Sequence, residues 1–222
     1  TGMAPDRASV SRIQNARIAN NQGPGIASTG LWRLTGVTVS GNFGPGVLIA
    51  PIGDTELPDA SAVEVAASPM LTRFDGNIGP AIEVVIGTVR VLGNAEFEGN
   101  GGAGVLVRDG SVFLNTDPRF ATTSLIRQNG SAGCRAWSFA DGEWTGVPLD
   151  PCDFTAGVVA EIGNITATNP RIRENAGAGV IARDPDSEGL GVVTINGGEV
   201  CANGAADEGE TLDLTSVDTS CS

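Results

Sequence analysis

A chain of 222 residues with 26 acidic and 13 basic side chains carries a formal charge of −13. That balance leaves no basic footprint for nucleic acid and disfavours anionic membrane surfaces, and no apolar run approaches the ~18 residues that suit a membrane-spanning helix. There is no His, Tyr or Lys, which excludes a Ser-His-Asp triad, a histidine base, Lys Schiff bases and Lys–Asn isopeptide crosslinks.

In chain order, residues 1–12 are polar and read as an irregular lead-in or the remnant of a preceding coil. No cap precedes the first coil, which leads us to expect a piece of a longer protein. Residues 13–50 hold two compact coils. Residues 51–60, PIGDTELPDA, form an acidic, Pro-bounded loop pushed outward. Regular coils return over 61–115, and Asp117-Pro118 opens a short excursion ending near Thr123. The largest insertion, residues 135–151, lies between Cys134 and Cys152 with Asp141-Gly142 at its middle, the pattern of a β-hairpin stapled at its base. Cys201 and Cys221 bracket an acidic tail, residues 207–222, predicted to fold over the end of the stack as a disulfide-closed cap. Such local spacing favours the pairs 134–152 and 201–221 among three connectivities.

The organising signal is a repeated phrase centred on Asn21, Asn42, Asn77, Asn100, Asn129, Asn175 and, more weakly, Asn203. Three places earlier stand Ile18, Val39, Phe74, Phe97, Ile126, Ile172 and Val200, each apolar among polar or small neighbours. Two to four places later come small residues, from Gly23-Pro24-Gly25 to Gly177-Ala178-Gly179, with Ser131-Ala132-Gly133 in the fifth copy. Five places later the apolar position returns as Ile26, Val47, Ile82, Val105, Cys134 and Val180. Alternation on both flanks means strands with one buried face. Asn at the centre tolerates the left-handed region that a tight turn needs.

Third strands are predicted at Gly30–Leu34, Ala62–Val65, Thr88–Leu92, Ser111–Leu114 and Gly191–Ile195. A coil of three short strands cannot bury its own apolar face, but stacked copies share a core. The Asn side chains can then hydrogen-bond from rung to rung. The fold class is therefore all-β, a parallel β-helix of about seven coils with outward loops.

The column NxG[PA]GΦxΦ preceded by ΦxxN, over roughly residues 13–206, resembles the right-handed parallel β-helix proteins of the pectin-lyase-like superfamily. That fold hosts lyases, hydrolases, adhesins and structural rods. The resemblance to polygalacturonases fails on the missing His. Pectate-lyase-like members use a Ca²⁺-binding carboxylate cluster and an Arg or Lys base on an outer sheet face. Asp75, Glu98, Arg127 and Arg173, each two places before the Asn, come nearest to that set. On adjacent rungs Asp75 and Glu98 would lie about 5 Å apart, suited to Ca²⁺ or to acid and nucleophile roles. The competing reading is an exposed ladder in which Glu98 meets Arg127.

Trp137 and Trp144 on the hairpin are candidates for stacking on sugar rings or anchoring a partner, or for packing the insertion itself. Outward Leu48, Leu106 and Ile181 share a column that Glu83 and Arg135 interrupt.

The reading favoured on sequence is a secreted or cell-surface structural or adhesive β-helix, with the periplasm as an alternative, since disulfides persist in oxidising compartments. It needs no catalytic residue and no cofactor. Its partner is expected at the open N-terminal end, either preceding coils of the same polypeptide or another subunit. The alternatives are a lyase or hydrolase on an acidic glycan through Asp75, Glu98 and Arg127, or a glycan-binding module without turnover.

Overall fold

The computed structural model describes residues 10–50, 62–66, 69–115, 124–130, 134–140, 143–149, 155–182, 191–207, 209 and 211–221, with the backbone alone for Ala62, Thr211 and the segments 134–140 and 143–149. The expected loops at 51–60 and 117–123, together with Cys152, lie outside the described residues.

The chain enters on β1 (Ser11–Gln14) and β2 (Arg17–Ala19), turns at Asn21 and leaves on β3 (Ile26–Ser28). The next coil repeats this with β4 (Trp32–Thr35), β5 (Thr38–Ser40) and β6 (Val47–Ile49). Then come β7 (Ala62–Val65), β8 (Thr72–Asp75) and a long β9 (Ile82–Val91), followed by β10 (Ala95–Glu98), β11 (Val105–Leu114) and β12 (Ser124–Arg127). A hairpin of β13 (Cys134–Ala140) and β14 (Glu143–Leu149) interrupts the coils. They resume with β15 (Val158–Thr168), β16 (Arg171–Arg173), β17 (Val180–Ala182), β18 (Val192–Asn196), β19 (Glu199–Cys201) and β20 (Thr211–Thr215).

Two parallel sheets enclose the core. The first has seven strands in the order β2-β5-β8-β10-β12-β16-β19, one from each coil. The second has eleven, with β1-β4-β7-β9-β11-β15-β18-β20 as its main path and β3, β6 and β17 joined beside it. This is a right-handed parallel β-helix.

Ile18, Val39, Phe74, Phe97, Ile126, Ile172 and Val200 form one inward column, and the Phe74 and Phe97 rings stack with centroids 5.0 Å apart. Burial of that continuous apolar column is the main stabilising term, at roughly 25 cal/mol per Å².

In the central coils the second and third strands run together as the long strands β9, β11 and β15. Each bends at a glycine with positive φ: Gly87 (131°), Gly110 (138°) and Gly163 (150°). A Cβ at Gly110 would run into the Gly87 carbonyl, and one at Gly163 into the Gly110 carbonyl. Glycine is therefore required for the backbone to bend and stack at that corner.

The Asn turns work differently from the prediction. Positive φ falls one residue before the ladder, at Asn20, Gly41, Gly76, Gly99, Gln128, Glu174 and Ala202. The ladder Asn contributes through its side chain instead. Each Nδ2 donates to the next Oδ1: Asn21 to Asn42, Asn42 to Asn77 and Asn77 to Asn100 at 2.8 Å, then Asn100 to Asn129 at 2.9 Å. The chain of donors continues from Asn129 to Asn175 and from Asn175 to Asn203, both at 3.0 Å. Backbone N–H groups of the same residues donate to the same oxygens, as from Asn77 to Asn100. Buried amides are thus satisfied along the stack.

Two further expectations are corrected. The apolar position that follows the fifth ladder Asn is not filled by Cys134. Val158, Val159 and Ala160 pair with Val105, Leu106 and Val107, so Ala156-Gly157-Val158 occupy those columns, while Cys134 pairs with Leu149 in the hairpin. The tail is also more than a cap laid across the end. β20 pairs in parallel with β18 over five residues, and Asp218 bridges Glu199, so the tail adds an eighth rung to the main path. Leu214 and Val217 on that rung pack against the core.

Candidate functional site

The outer face of the first sheet brings the predicted residues together. Asp75 pairs in register with Glu98, Glu98 with Arg127, and Arg127 with Arg173. Glu98 is taken up by Arg127 at 2.8 Å. In the neighbouring column Arg73 donates from Nε to Glu96 at 2.9 Å, and Arg171 to Glu199 at 3.1 Å. The hydrogen bond and charge of Glu96 raise the Arg73 pKa. These are partly exposed pairs on adjacent rungs, of a kind worth about 0–1 kcal/mol each. Among the described residues no three His, Cys, Asp or Glu side chains are placed to hold a metal ion.

The hairpin has the antiparallel register expected, with Trp144 opposite Phe139 and Trp137 opposite Gly146. The side chains of Trp137 and Trp144 lie outside the described residues. The expected 134–152 pairing does as well, whereas Cys201 and Cys221 form a disulfide with Cα atoms 5.6 Å apart. That bond is consistent with a non-cytosolic location.

A cluster that sequence reasoning did not assemble sits on the outer side of the second sheet. Leu48, Leu106, Val159 and Ile181 form an outward column that is nonetheless buried. Glu83 interrupts it and is only 3% exposed. Its Oε1 accepts from Arg108 Nε at 3.1 Å and Nη2 at 2.9 Å, while its buried Oε2 has no hydrogen-bond partner. Arg108 also reaches Glu161 at 3.1 Å.

Burial pushes the Glu83 carboxyl above the usual carboxylate range against the opposing pull of Arg108, and Glu161 adds to the rise. Burial works to lower the Arg108 pKa, but the two flanking carboxylates outweigh it and leave it raised. The signal in the sequence was Glu83 itself, a carboxylate in an apolar column. Arg108 and Glu161 stand two places after the outward Leu106 and Val159, so alternation puts them on the face of Glu83, and the strand register brings the three together.

Asp207 closes one edge of the stack. In earlier coils two successive N–H groups of the turn donate to two backbone carbonyls of the next coil, as Gly157 does to Ala178 and Val158 to Gly179. At the last such step Asp207 Oδ1 accepts both, from Gly179 at 2.9 Å and Val180 at 3.0 Å. Burial raises its pKa against those two hydrogen bonds.

Searches of known protein families, curated proteins and solved structures return no match to this chain.

Proposed function

We propose that this chain is a structural or adhesive β-helix of the pectin-lyase-like kind, acting outside the cytosol as a rod that displays its loops. The observation carrying this reading is the engagement of Glu98 with Arg127, two of the three candidate catalytic residues. Glu98 is neutralised by Arg127 at 2.8 Å within a face of rung-to-rung ion pairs. A carboxylate held this way is a poor nucleophile or metal ligand and a good register marker.

The test is a broad panel of acidic glycans assayed for cleavage by the wild type and by Asp75→Ala, with melting curves for both. We expect no turnover and little change in melting temperature. Turnover that disappears in Asp75→Ala at unchanged stability would sink the reading.

A glycan-cleaving alternative keeps one observation in its favour. Glu83 is a buried carboxyl whose pKa burial raises, with Glu161 held by the same Arg108. Such a pair suits acid and base roles. Activity abolished by Glu83→Gln in a normally folded variant would favour it.

A further inference from the structure

Each strand column can be followed from one edge of the stack to the other, and the two edges match. On the main path of the second sheet, Arg12 stands in the column Arg33, Glu64, Arg90, Phe113, Thr166, Thr194 and Asp213. The adjacent inward column begins at Ile13 and ends at Leu214, both partly buried against the core. In the first sheet, the column that begins at Arg17 ends at Glu199, with Asp218 bridged to it.

We propose that copies of this chain stack head to tail, β1 of one copy adding in parallel to the open edge of β20 in another, in the register these columns already hold. Ser11 then lies beneath Leu212, Arg12 beneath Asp213, Ile13 beneath Leu214 and Arg17 beneath Asp218. The proposal rests on the structural reading above and names its partner, a second copy of this chain.

Three observations carry it. The first is charge. The acidic chain has a basic head: four of its 13 arginines (Arg7, Arg12, Arg17 and Arg33) fall in the first 33 residues, against one acid, Asp6. No basic residue follows Arg183, while nine acidic residues do. The second is precedent within the molecule. The same two columns already join adjacent rungs through Arg33–Glu64 at 3.0 Å, Arg73–Glu96 and Arg171–Glu199 at 3.1 Å. An Arg12–Asp213 pair repeats that geometry across the junction, with Asp213 keeping its bond from the Thr215 hydroxyl. The third is the pattern of the matched positions: apolar Ile13 falls against Leu214 and two arginines fall against two aspartates, with Ser11 against Leu212 the one mismatch.

The contact is heterologous, so it propagates along one axis instead of closing into a dimer. Its extent is bounded too. Asp207 ends the column that β17 belongs to, so the junction runs along β20 and the start of the first sheet.

The test uses the exposed side chains Arg12 and Asp213. Wild type, Arg12→Asp, Asp213→Arg and an equimolar mixture of the two variants are compared by sedimentation velocity across protein concentration at low salt. Circular dichroism checks that each variant is folded. Wild type should grow with concentration, and less so as salt screens the pair. Each variant alone opposes like charges and should associate at least about tenfold more weakly. The mixture should recover assembly, because each variant's tail then meets the other's complementary head.

A monomeric wild type overturns the proposal, as does a mixture no better than its components. Association that arises only after deletion of residues 1–9 assigns the β1 edge to that segment and overturns it as well. Glycan turnover with intact stacking would sink the structural reading and leave this one standing, whereas a monomer without turnover would sink this one alone.

Discussion

Replacing Asn100 by Ala should be among the most damaging small substitutions in the chain. Asn100 is fully buried. Its Oδ1 accepts from the Asn77 N–H at 3.2 Å and from Asn77 Nδ2 at 2.8 Å. Its Nδ2 donates to Asn129 Oδ1 at 2.9 Å and to the Phe74 carbonyl at 3.2 Å. Truncation leaves the Asn77 N–H without its acceptor and strips a donor from the Phe74 carbonyl. At about 1–3 kcal/mol for each of these two buried groups, the loss is about 2–6 kcal/mol. That is a large share of a typical stability of roughly 5–15 kcal/mol.

The control is Asn21→Ala. Asn21 is exposed, and its side chain gives one bond to Asn42 Oδ1, which keeps the Asn21 N–H as a second donor at 3.1 Å. That loss should stay below about 1 kcal/mol. Urea unfolding followed by circular dichroism measures both. Equal costs for the two variants would refute the argument that interior rungs depend on amide satisfaction. Asn100→Asp adds an independent check, since a carboxylate can accept from Asn77 but has nothing to give Asn129 or Phe74. It should be as damaging as Ala at neutral pH and recover in acid, where its proton supplies a donor.

Arg108→Ala should cost about 3–5 kcal/mol, because it leaves the Glu83 carboxylate buried and uncompensated. Adding Glu83→Gln to Arg108→Ala should restore a good part of that loss in the same unfolding assay, whereas two independent, additive costs would contradict the pairing. For Asp207 the sign follows from its pKa, which burial raises above 3.8. Its folded-state advantage is complete below the unfolded pKa and fades as pH rises through the folded one. Wild type measured against Asp207→Asn should therefore lose relative stability over that window, and a flat difference would contradict the burial of the carboxyl.

The parts of the fold that repeat were legible, and the parts that need register were not. The Asn column, the inward column around Phe74 and Phe97 and the existence of the five predicted third strands follow from alternation and small-residue turns, which any coil must satisfy alone. Two of those strands are displaced: Gly30–Leu34 forms β4, Trp32–Thr35, and Gly191–Ile195 forms β18, Val192–Asn196. The insertion point was misjudged because Ser131-Ala132-Gly133-Cys134 imitates the small-residue turn that Thr155-Ala156-Gly157-Val158 makes, and only strand pairing separates the two. In the tail, Glu208 reads as the end of the coils. The alternation that restarts at Leu212 and Leu214 continues the stack in spite of its acidic neighbours. The Glu83–Arg108–Glu161 cluster needs the pairing of β9, β11 and β15, which alternation along any one strand does not supply.

Charged side chains on such a stack have different consequences at its centre and at its edges. Between rungs, Glu98–Arg127 and Arg73–Glu96 add little stability, but a slip of one residue would turn their strands' inward Phe97 and Phe74 outward, so they mark a register that the core enforces. At the edges no rung of the same copy lies beyond Arg12 or Asp213 among the described residues. In the stacking proposed above the same charges would select direction. Head against head would oppose Arg12 to Arg12, and tail against tail Asp213 to Asp213, while head against tail pairs them. An interaction that is weak inside the molecule would in that stacking discriminate between head-to-tail and like-end arrangements.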